Sequence, residues 1–281
     1  MANREKSIIY RIIERGVVVV LVVGICVVSV KAWESHQADG READSRCPEG
    51  MVFISSASGN FCLDRYEASA GTVCPYENPE TSRQTQVNLD EYDCRPVSEA
   101  GRKPWRYISR AQAAEICARA GKRLPTNNEW QAAVLGTPDQ QDEWDGNDCQ
   151  VKNNWPDQPG PTGLAENCRS GVGAYDMVGN VWEWVHEVVE EGKVVGKELP
   201  DSGFIQAIDA DGFPVETDSS KPAESYGEDY FWVKNSSTRS LARGGYWDNG
   251  ADAGKYSAYA VSELEFRGPG VGFRCASASN W

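Results

Sequence analysis

Apolar and polar positions divide the chain into an uninterrupted hydrophobic run, a polar spacer and a long mixed region with short periodic stretches. Gly16 to Val30 reads GVVVVLVVGICVVSV, fifteen uncharged and almost wholly apolar residues. As a helix rising about 1.5 Å per residue it would span roughly 22 Å, short of the ~30 Å hydrocarbon core of a bilayer. Lys31 can reach the headgroups along its alkyl stem and Trp33 suits the interface, so a single span remains feasible. Glu34 to Arg46 is polar and aperiodic, the pattern of a tether. Met51-Val52-Phe53-Ile54 and the stretch from Phe61 to Tyr66 predict two strands around Ser58-Gly59-Asn60. Pro75 to Pro104 reads as a polar loop. Two helices follow. Ser109-Arg110-Ala111-Gln112 is a capping-box pattern, with Ala113, Ile116, Cys117 and Ala120 at helical spacing before Gly121. Thr126-Asn127-Asn128-Glu129 opens a second, with Trp130 and Ala133 inward. Thr137 to Gly173 is turn-rich, and Gly192 to Ser240 predicts an irregular insertion. No repeat of 20–50 residues is evident.

Charge changes this picture at the N-terminus and narrows the partners. Of the 281 residues, 42 are acidic and 28 basic, for a formal charge of -14. Arg4, Lys6, Arg11 and Arg15 precede the apolar run, and the positive-inside rule keeps that end cytoplasmic. Two readings stay open. The run is a single-pass signal anchor, or it belongs to a signal peptide cleaved near Val30-Lys31-Ala32. Ile25 before Cys26 argues against a lipoprotein. Either reading exports residue 34 onward. The organisation expected is a cytoplasmic N-terminus and anchor at 1–33, a tether at 34–46, and a domain at 47–281 with its insertion near 192–240. Beyond residue 33 the chain carries 23 basic and 40 acidic side chains. Nucleic acid is therefore not an expected partner, because its affinity rests on Lys and Arg neutralising phosphates.

Nine cysteines occur. Cys26 lies in the apolar run, and eight remain, an even count that in an exported domain reads as up to four disulfides. Zinc is disfavoured, with no CxxC pair and with His36 and His186 the sole histidines of the sequence. Sequence order does not fix the pairing. Local proximity favours Cys47–Cys62, Cys74–Cys94 and Cys149–Cys168, which leaves Cys117–Cys275 as a long-range staple.

Four segments, MVFISSASGNFCLDRYEAS (51–69), ISRAQAAEICARAGKRLPTNNEWQAA (108–133), GAYDMVGNVWEWV (173–185) and ARGGYWDNG…VGFRCA (242–276), together resemble the formylglycine-generating-enzyme, or sulfatase-modifying-factor, domain. The resemblance covers about residues 47–277. It implies an α+β, elaborated C-type-lectin-like fold with little regular secondary structure, stapled by disulfides. It also implies that the cysteine of the first helix pairs with the GFRC cysteine, in support of Cys117–Cys275. In the family the GNVWEW segment binds structural calcium. Here that implies Asn180 and Glu183 as side-chain ligands, with carbonyls near Val178 and Val181 completing the shell. The alternative is a metal-free hydrogen-bonding cluster. A weaker second site is Asp209, Asp211 and Gly212.

The family's chemistry finds no obvious residues. Copper(I) is held there by two cysteines with four residues between them, shortly after the RGG turn. Counting without gaps, Asn249 and Gly254 stand at those places, and neither supplies the soft thiolate that copper(I) requires. Related family members hold non-haem iron with three histidines, which this sequence cannot provide. No copper or iron is therefore expected, and the expectation leans away from an enzyme. What remains is a surface from 246 to 271. Its candidate contact residues are Tyr246, Trp247, Asp248, Asp252, Tyr259, Ser262, Phe266 and Arg267, of types suited to binding hot spots. Tyr256 and Phe266 are the aromatics here most readily assigned to the core. The expected function is a membrane-anchored, non-catalytic ligand-binding or adhesion module, its ligand a protein or glycan outside the cell. The alternatives are a family-type oxidase and a structural subunit of an envelope complex. Some family members are targets of diversity-generating retroelements, whose variable region begins near RGG and ends at GFR, as the corresponding segments do here.

Overall fold

The computed structural model describes residues 46–57, 59–139, 144–156 and 158–279. The apolar run and nearly all of the tether lie outside them. Among the described residues no helix is long and apolar enough to cross a membrane.

In chain order the strands are β1 (Met51–Ser56), β2 (Gly59–Asp64), β3 (Ser69–Ala70), β4 (Pro96–Val97), β5 (Trp182–Glu190), β6 (Lys193–Val194), β7 (Lys197–Glu198), β8 (Gly203–Ile208), β9 (Pro214–Asp218), β10 (Tyr230–Val233), β11 (Thr238–Arg243), β12 (Ala258–Ala260), β13 (Val271–Gly272) and β14 (Ala276–Ala278). The helices of more than one turn are α1 (Ser82–Asp90), α2 (Arg110–Arg119) and α3 (Asn127–Val134). β1 and β2 pair antiparallel from Met51↔Asp64 to Ser56↔Gly59, and β14 adds to β2 at Ala276↔Leu63, so the last strand closes on the first hairpin. A larger mixed sheet runs β7-β6-β5-β11-β12-β10-β8-β9, with β13 also pairing β5.

The strand alternation of this sheet creates two cores. Val185, Val189, Leu241, Ala258, Ala260, Phe231 and Ile205 point to one face, against Trp130, Ala133 and Val134 of α3. Trp182, Trp184 and Ala242 point to the other, against Ala113, Ile116 and Cys117 of α2, with Trp105 and Phe273. Trp105, Trp130 and Trp184 are wholly buried. At ~200 Å² each and ~25 cal/mol per Å², burial contributes up to about 5 kcal/mol of transfer free energy per ring.

Both anticipated helix starts are present. Ser109 and Thr126 each accept from the backbone three residues on, while Gln112 and Glu129 bond back to the cap. Gly121, at φ 69°, ends α2 in the left-handed region. There Lys122 N–H bonds the Cys117 carbonyl at 3.0 Å and Gly121 N–H bonds that of Ala118 at 2.9 Å, the pattern that satisfies orphaned C-terminal carbonyls. All four disulfides, Cys47–Cys62, Cys74–Cys94, Cys117–Cys275 and Cys149–Cys168, form with Cα separations of 4.5–5.7 Å.

Two expectations are corrected. The 75–104 stretch contains α1, capped by the Thr81 side chain, which accepts from Gln84 N–H. Its inner face is mainly polar, Thr85 and Asn88 beside Leu89, so hydrophobic periodicity does not reveal it. The 192–240 stretch is not irregular. Its strands β8 and β10 extend the main sheet, with Ile205 and Phe231 completing the α3-side core.

Candidate functional site

β11 ends in Arg243-Gly244-Gly245, and this turn launches the 246–257 loop. Arg243 is fully buried. It lies over the Trp130 ring at 4.7 Å and donates to Gln131 at 2.7 Å, to the Ser257 carbonyl at 3.1 Å and to Asn127. Burial pulls its guanidinium down to about 10, still protonated near neutrality. Gly244 and Gly245 have φ of 92° and 88°. A Cβ would sit 2.6 Å from the Met177 carbonyl oxygen at the first and 2.3 Å from Ala253 Cβ at the second, so both conformation and space require glycine.

Beneath this turn lies a second buried cation. Arg274 Nη2 and Nε donate to Glu183 at 2.5 and 2.7 Å, and further bonds reach the carbonyls of Asp64 at 3.0 Å and Tyr175 at 2.8 Å. Trp130 Nε1–H donates to Glu183 at 2.7 Å. Around Arg274, burial raises Glu67 well above the usual carboxylate range and pushes Asp176 up to about 6. Glu67 Oε1 accepts from Val181 N–H at 3.2 Å, and Asn180 Nδ2 donates to Oε2 within hydrogen-bond reach. Asn180 sits at φ 54°, and its Oδ1 has no partner among the described residues.

The α2-side face of the main sheet is covered over β5 and β11, and beyond that cover it carries a row of half-buried rings. Tyr230 faces Phe204 and Trp232 faces Tyr259 in strand register. Ring centroids follow at 5.1 Å (Phe204–Tyr230), 4.8 Å (Tyr230–Trp232) and 5.6 Å (Trp232–Trp182), with Tyr259 5.6 Å from Trp182. Tyr246 packs beside Tyr259 at the edge of the same core and stands 5.0 Å from Trp247. The 246–257 loop and the strands of the insertion thus meet in one aromatic face.

Residues 60–279 match the Sulfatase-modifying factor enzyme 1-like domain. The chain belongs to that family. Among curated relatives, "Inactive C-alpha-formylglycine-generating enzyme 2" of Bos taurus is 39% identical over 93 residues, covering 28% of this chain and 31% of the relative. "Formylglycine-generating enzyme" of Mus musculus is 33% identical over 128 residues, covering 36% and 34%. The chain spans about a third of the length of these relatives. Among solved structures, "Major Tropism Determinant I1 Variant" superposes with a TM-score of 0.45 at 16% identity, over 83% of this chain and 53% of that one. "Treponema denticola variable protein 1" gives 0.42 at 16% identity, over 83% and 100%. Sulfatase-modifying-factor membership carries with it the C-type-lectin-like fold that the four motifs imply, and the α+β, disulfide-stapled architecture agrees.

The residues present do not supply the ligands of the family's copper or iron. Asn249 Oδ1 accepts from Tyr246 N–H at 2.9 Å and caps a turn. A Cβ on Gly254 would stand 1.9 Å from Asp229 Oδ1 and 2.5 Å from Asp139 Oδ1, so carboxyls occupy the room a thiolate would need. His186 is exposed on β5, and among the described residues no three His, Cys, Asp or Glu side chains group to hold a metal. Of the expected calcium set, the side-chain oxygens are largely engaged in hydrogen bonds. Both oxygens of Glu183 are committed to Arg274 and Trp130, which leaves Asn180 Oδ1 as the sole side-chain oxygen free among the four residues expected to bind. Of the weaker site, Asp209 and Asp211 both hold Lys197 Nζ, at 2.7 and 2.6 Å.

The candidate contact residues divide. Asp248 is exposed, and Tyr246, Trp247, Asp252, Tyr259 and Arg267 are half-buried. Phe266 is 42% exposed, which removes the core reading of this ring. Ser262 is buried, and its carbonyl accepts from Ser240 N–H at 3.0 Å, which removes it from the contact set. Phe204, Tyr230 and Trp232 are additions; the alternation of Tyr230 and Trp232 about Phe231 was the available signal.

Proposed function

We propose that this domain is a non-catalytic ligand-binding module. Its face is formed by Tyr246, Trp247, Asp248, Asp252, Tyr259, Phe266 and Arg267 of the C-terminal segment and by Phe204, Tyr230 and Trp232 of the insertion. The observation that carries the reading is the continuous row of half-buried rings on a sheet face whose other residues are covered. Partly exposed Tyr and Trp give large contact area at low entropic cost, the composition of binding hot spots. Four disulfides and the buried Arg243 and Arg274 networks hold the scaffold beneath it. The ligand class is a protein or glycan outside the cell. The apolar run at 16–30 serves as the anchor, with the N-terminus cytoplasmic and the domain on the far side of the membrane.

Screening the protein on glycan and cell-surface-protein arrays beside its Tyr259→Ala variant tests this. Ligand signals lost in the variant at an unchanged melting temperature support the face. Signals kept in full refute it. The placement of the 243–275 segment between RGG and GFR also fits diversification by a retroelement. Neighbouring DNA would then hold a near-copy differing only at template adenines, together with a reverse transcriptase.

A further inference from the structure

Gly254 lies where two buried carboxyls converge from distant parts of the chain. Asp139 follows α3 at the end of a turn, and Asp229 precedes β10. Tyr256 N–H donates to Asp229 Oδ2 at 2.7 Å, and Lys255 N–H donates to Asp139 Oδ2 at 3.3 Å. The other oxygen of each, Oδ1, is buried and has no partner among the described residues. Both Oδ1 atoms crowd one point, lying 1.9 and 2.5 Å from where a Cβ of residue 254 would stand. The two oxygens are therefore no farther apart than those distances taken together.

Two buried carboxylates this close disfavour each other's ionisation, and a buried acceptor without a donor is costly. A single proton resolves both problems, since a protonated Oδ1 donates to its neighbour in a short, charge-assisted bond. A divalent cation is a poorer answer. Calcium takes six to eight oxygens, and no third acidic or imidazole side chain joins the pair among the described residues.

We propose that Asp139 and Asp229 share one proton and form a latch that holds the 254–256 segment, and with it the ligand-facing loop, against the turns at 137–139 and 226–229. The loop is ordered while the proton is held and loosens once it is lost. Asp229 also ties the latch to the aromatic row, because its carbonyl accepts from Ile205 N–H at 2.9 Å beside Phe204. The charged groups facing the pair are Lys255, whose Nζ is 3.8 Å from Asp139 Oδ2, and the buried Arg243. The rings of Tyr226 and Tyr256 meet edge to face nearby with centroids 5.4 Å apart, and Glu228, next to Asp229 in the chain, faces Asp252. The cations lower the values of both carboxyls but do not outweigh burial, the largest cause acting on each.

Burial pushes Asp139 up to about 6, and burial together with the Asp139 charge holds Asp229 well above the ordinary range. A folded-state value raised above the unfolded one gives stability that is full below the ordinary aspartate range. That stability is lost as pH climbs through the folded value. The latch thus weakens from about pH 4 through about pH 6 and above.

The test compares the full-length protein with its Asp229→Asn and Asp139→Asn variants, in which an amide N–H replaces the shared proton at any pH. The melting temperature of each variant relative to wild type should rise by about 5 °C between pH 5 and pH 8. Amide exchange in 250–257, corrected for its intrinsic pH dependence, should accelerate over that range in wild type alone. Should Asp229→Asn fail to fold, Asp139→Asn decides. Parallel melting profiles for wild type and both variants would overturn the latch, as would loss of the slope in Glu228→Gln alone. The readouts are stability and exchange, so the latch can fail while the ligand-binding reading stands.

Discussion

Replacing Arg274 with leucine isolates the most heavily committed charge in the scaffold. Arg274 and Glu183 are 0% and 1% exposed in their side chains. Removing the guanidinium leaves Glu183 with Trp130 Nε1–H as its remaining side-chain donor and strips the carbonyls of Asp64 and Tyr175 of theirs. Breaking a buried pair from one side costs about 3–5 kcal/mol, and each orphaned carbonyl adds about 1 kcal/mol. A loss near 5 kcal/mol is comparable with the whole stability of many domains. In urea, followed by tryptophan fluorescence at pH 7 with disulfides intact, the midpoint should fall by about 2 M. The double variant Arg274→Leu with Glu183→Leu should recover much of the loss, because neither charge is then left alone. A loss below about 1 kcal/mol for Arg274→Leu would refute the reasoning. So would a wild-type midpoint that drops on adding a chelator and stops responding in Glu183→Gln, since that pattern assigns the carboxylate to a bound cation.

Replacing Cys117 and Cys275 together by serine opens a loop of 158 residues and should cost about 5 kcal/mol. The Cys47–Cys62 pair, which spans 15, should cost about 3 kcal/mol in the same denaturation assay. Gly254→Ala drives a methyl into Asp229 and should destabilise by about 1–3 kcal/mol, whereas Gly146→Ala, with nothing within 4 Å, should be neutral by thermal melting. Phe266→Ser, at a site 42% exposed, should move stability by no more than about 0.5 kcal/mol. Trp130→Ala, wholly buried, should cost at least about 3 kcal/mol in the same measurement.

What the chain discloses before folding follows from the range of the forces involved. Ser109 and Thr126 act within one helical turn, so their capping boxes are readable at once, and the disulfides close as local spacing and family resemblance together suggest. Helix α1 is hidden because its inner face is stabilised by polar bonds. Trp105 Nε1–H donates to Thr85 at 3.2 Å, and Asn88 exchanges bonds with the Tyr76 backbone at 2.8 Å. Strands β8 and β10 are hidden for the opposite reason. Phe204, Tyr230 and Trp232 face outward beside inward Ile205 and Phe231, so no polar alternation marks them. The pairing of Glu183 with Arg274, which arrives from the far end of the chain, is likewise unreadable in the sequence. The Asp139–Asp229 pair, equally, exists only once three separated turns have met.

The account's central claim is that this member of the sulfatase-modifying-factor family keeps the fold while Asn249, and Gly254 walled in by two carboxyls, stand in place of the family's copper thiolates. The most direct test is to titrate the protein with copper(I) against a competing chelator and incubate it in air with a cysteine-containing sulfatase peptide, followed by mass spectrometry. The account predicts no stoichiometric copper(I) binding and an unchanged peptide. One equivalent of tightly held copper(I), with conversion of the peptide cysteine to formylglycine, would contradict it.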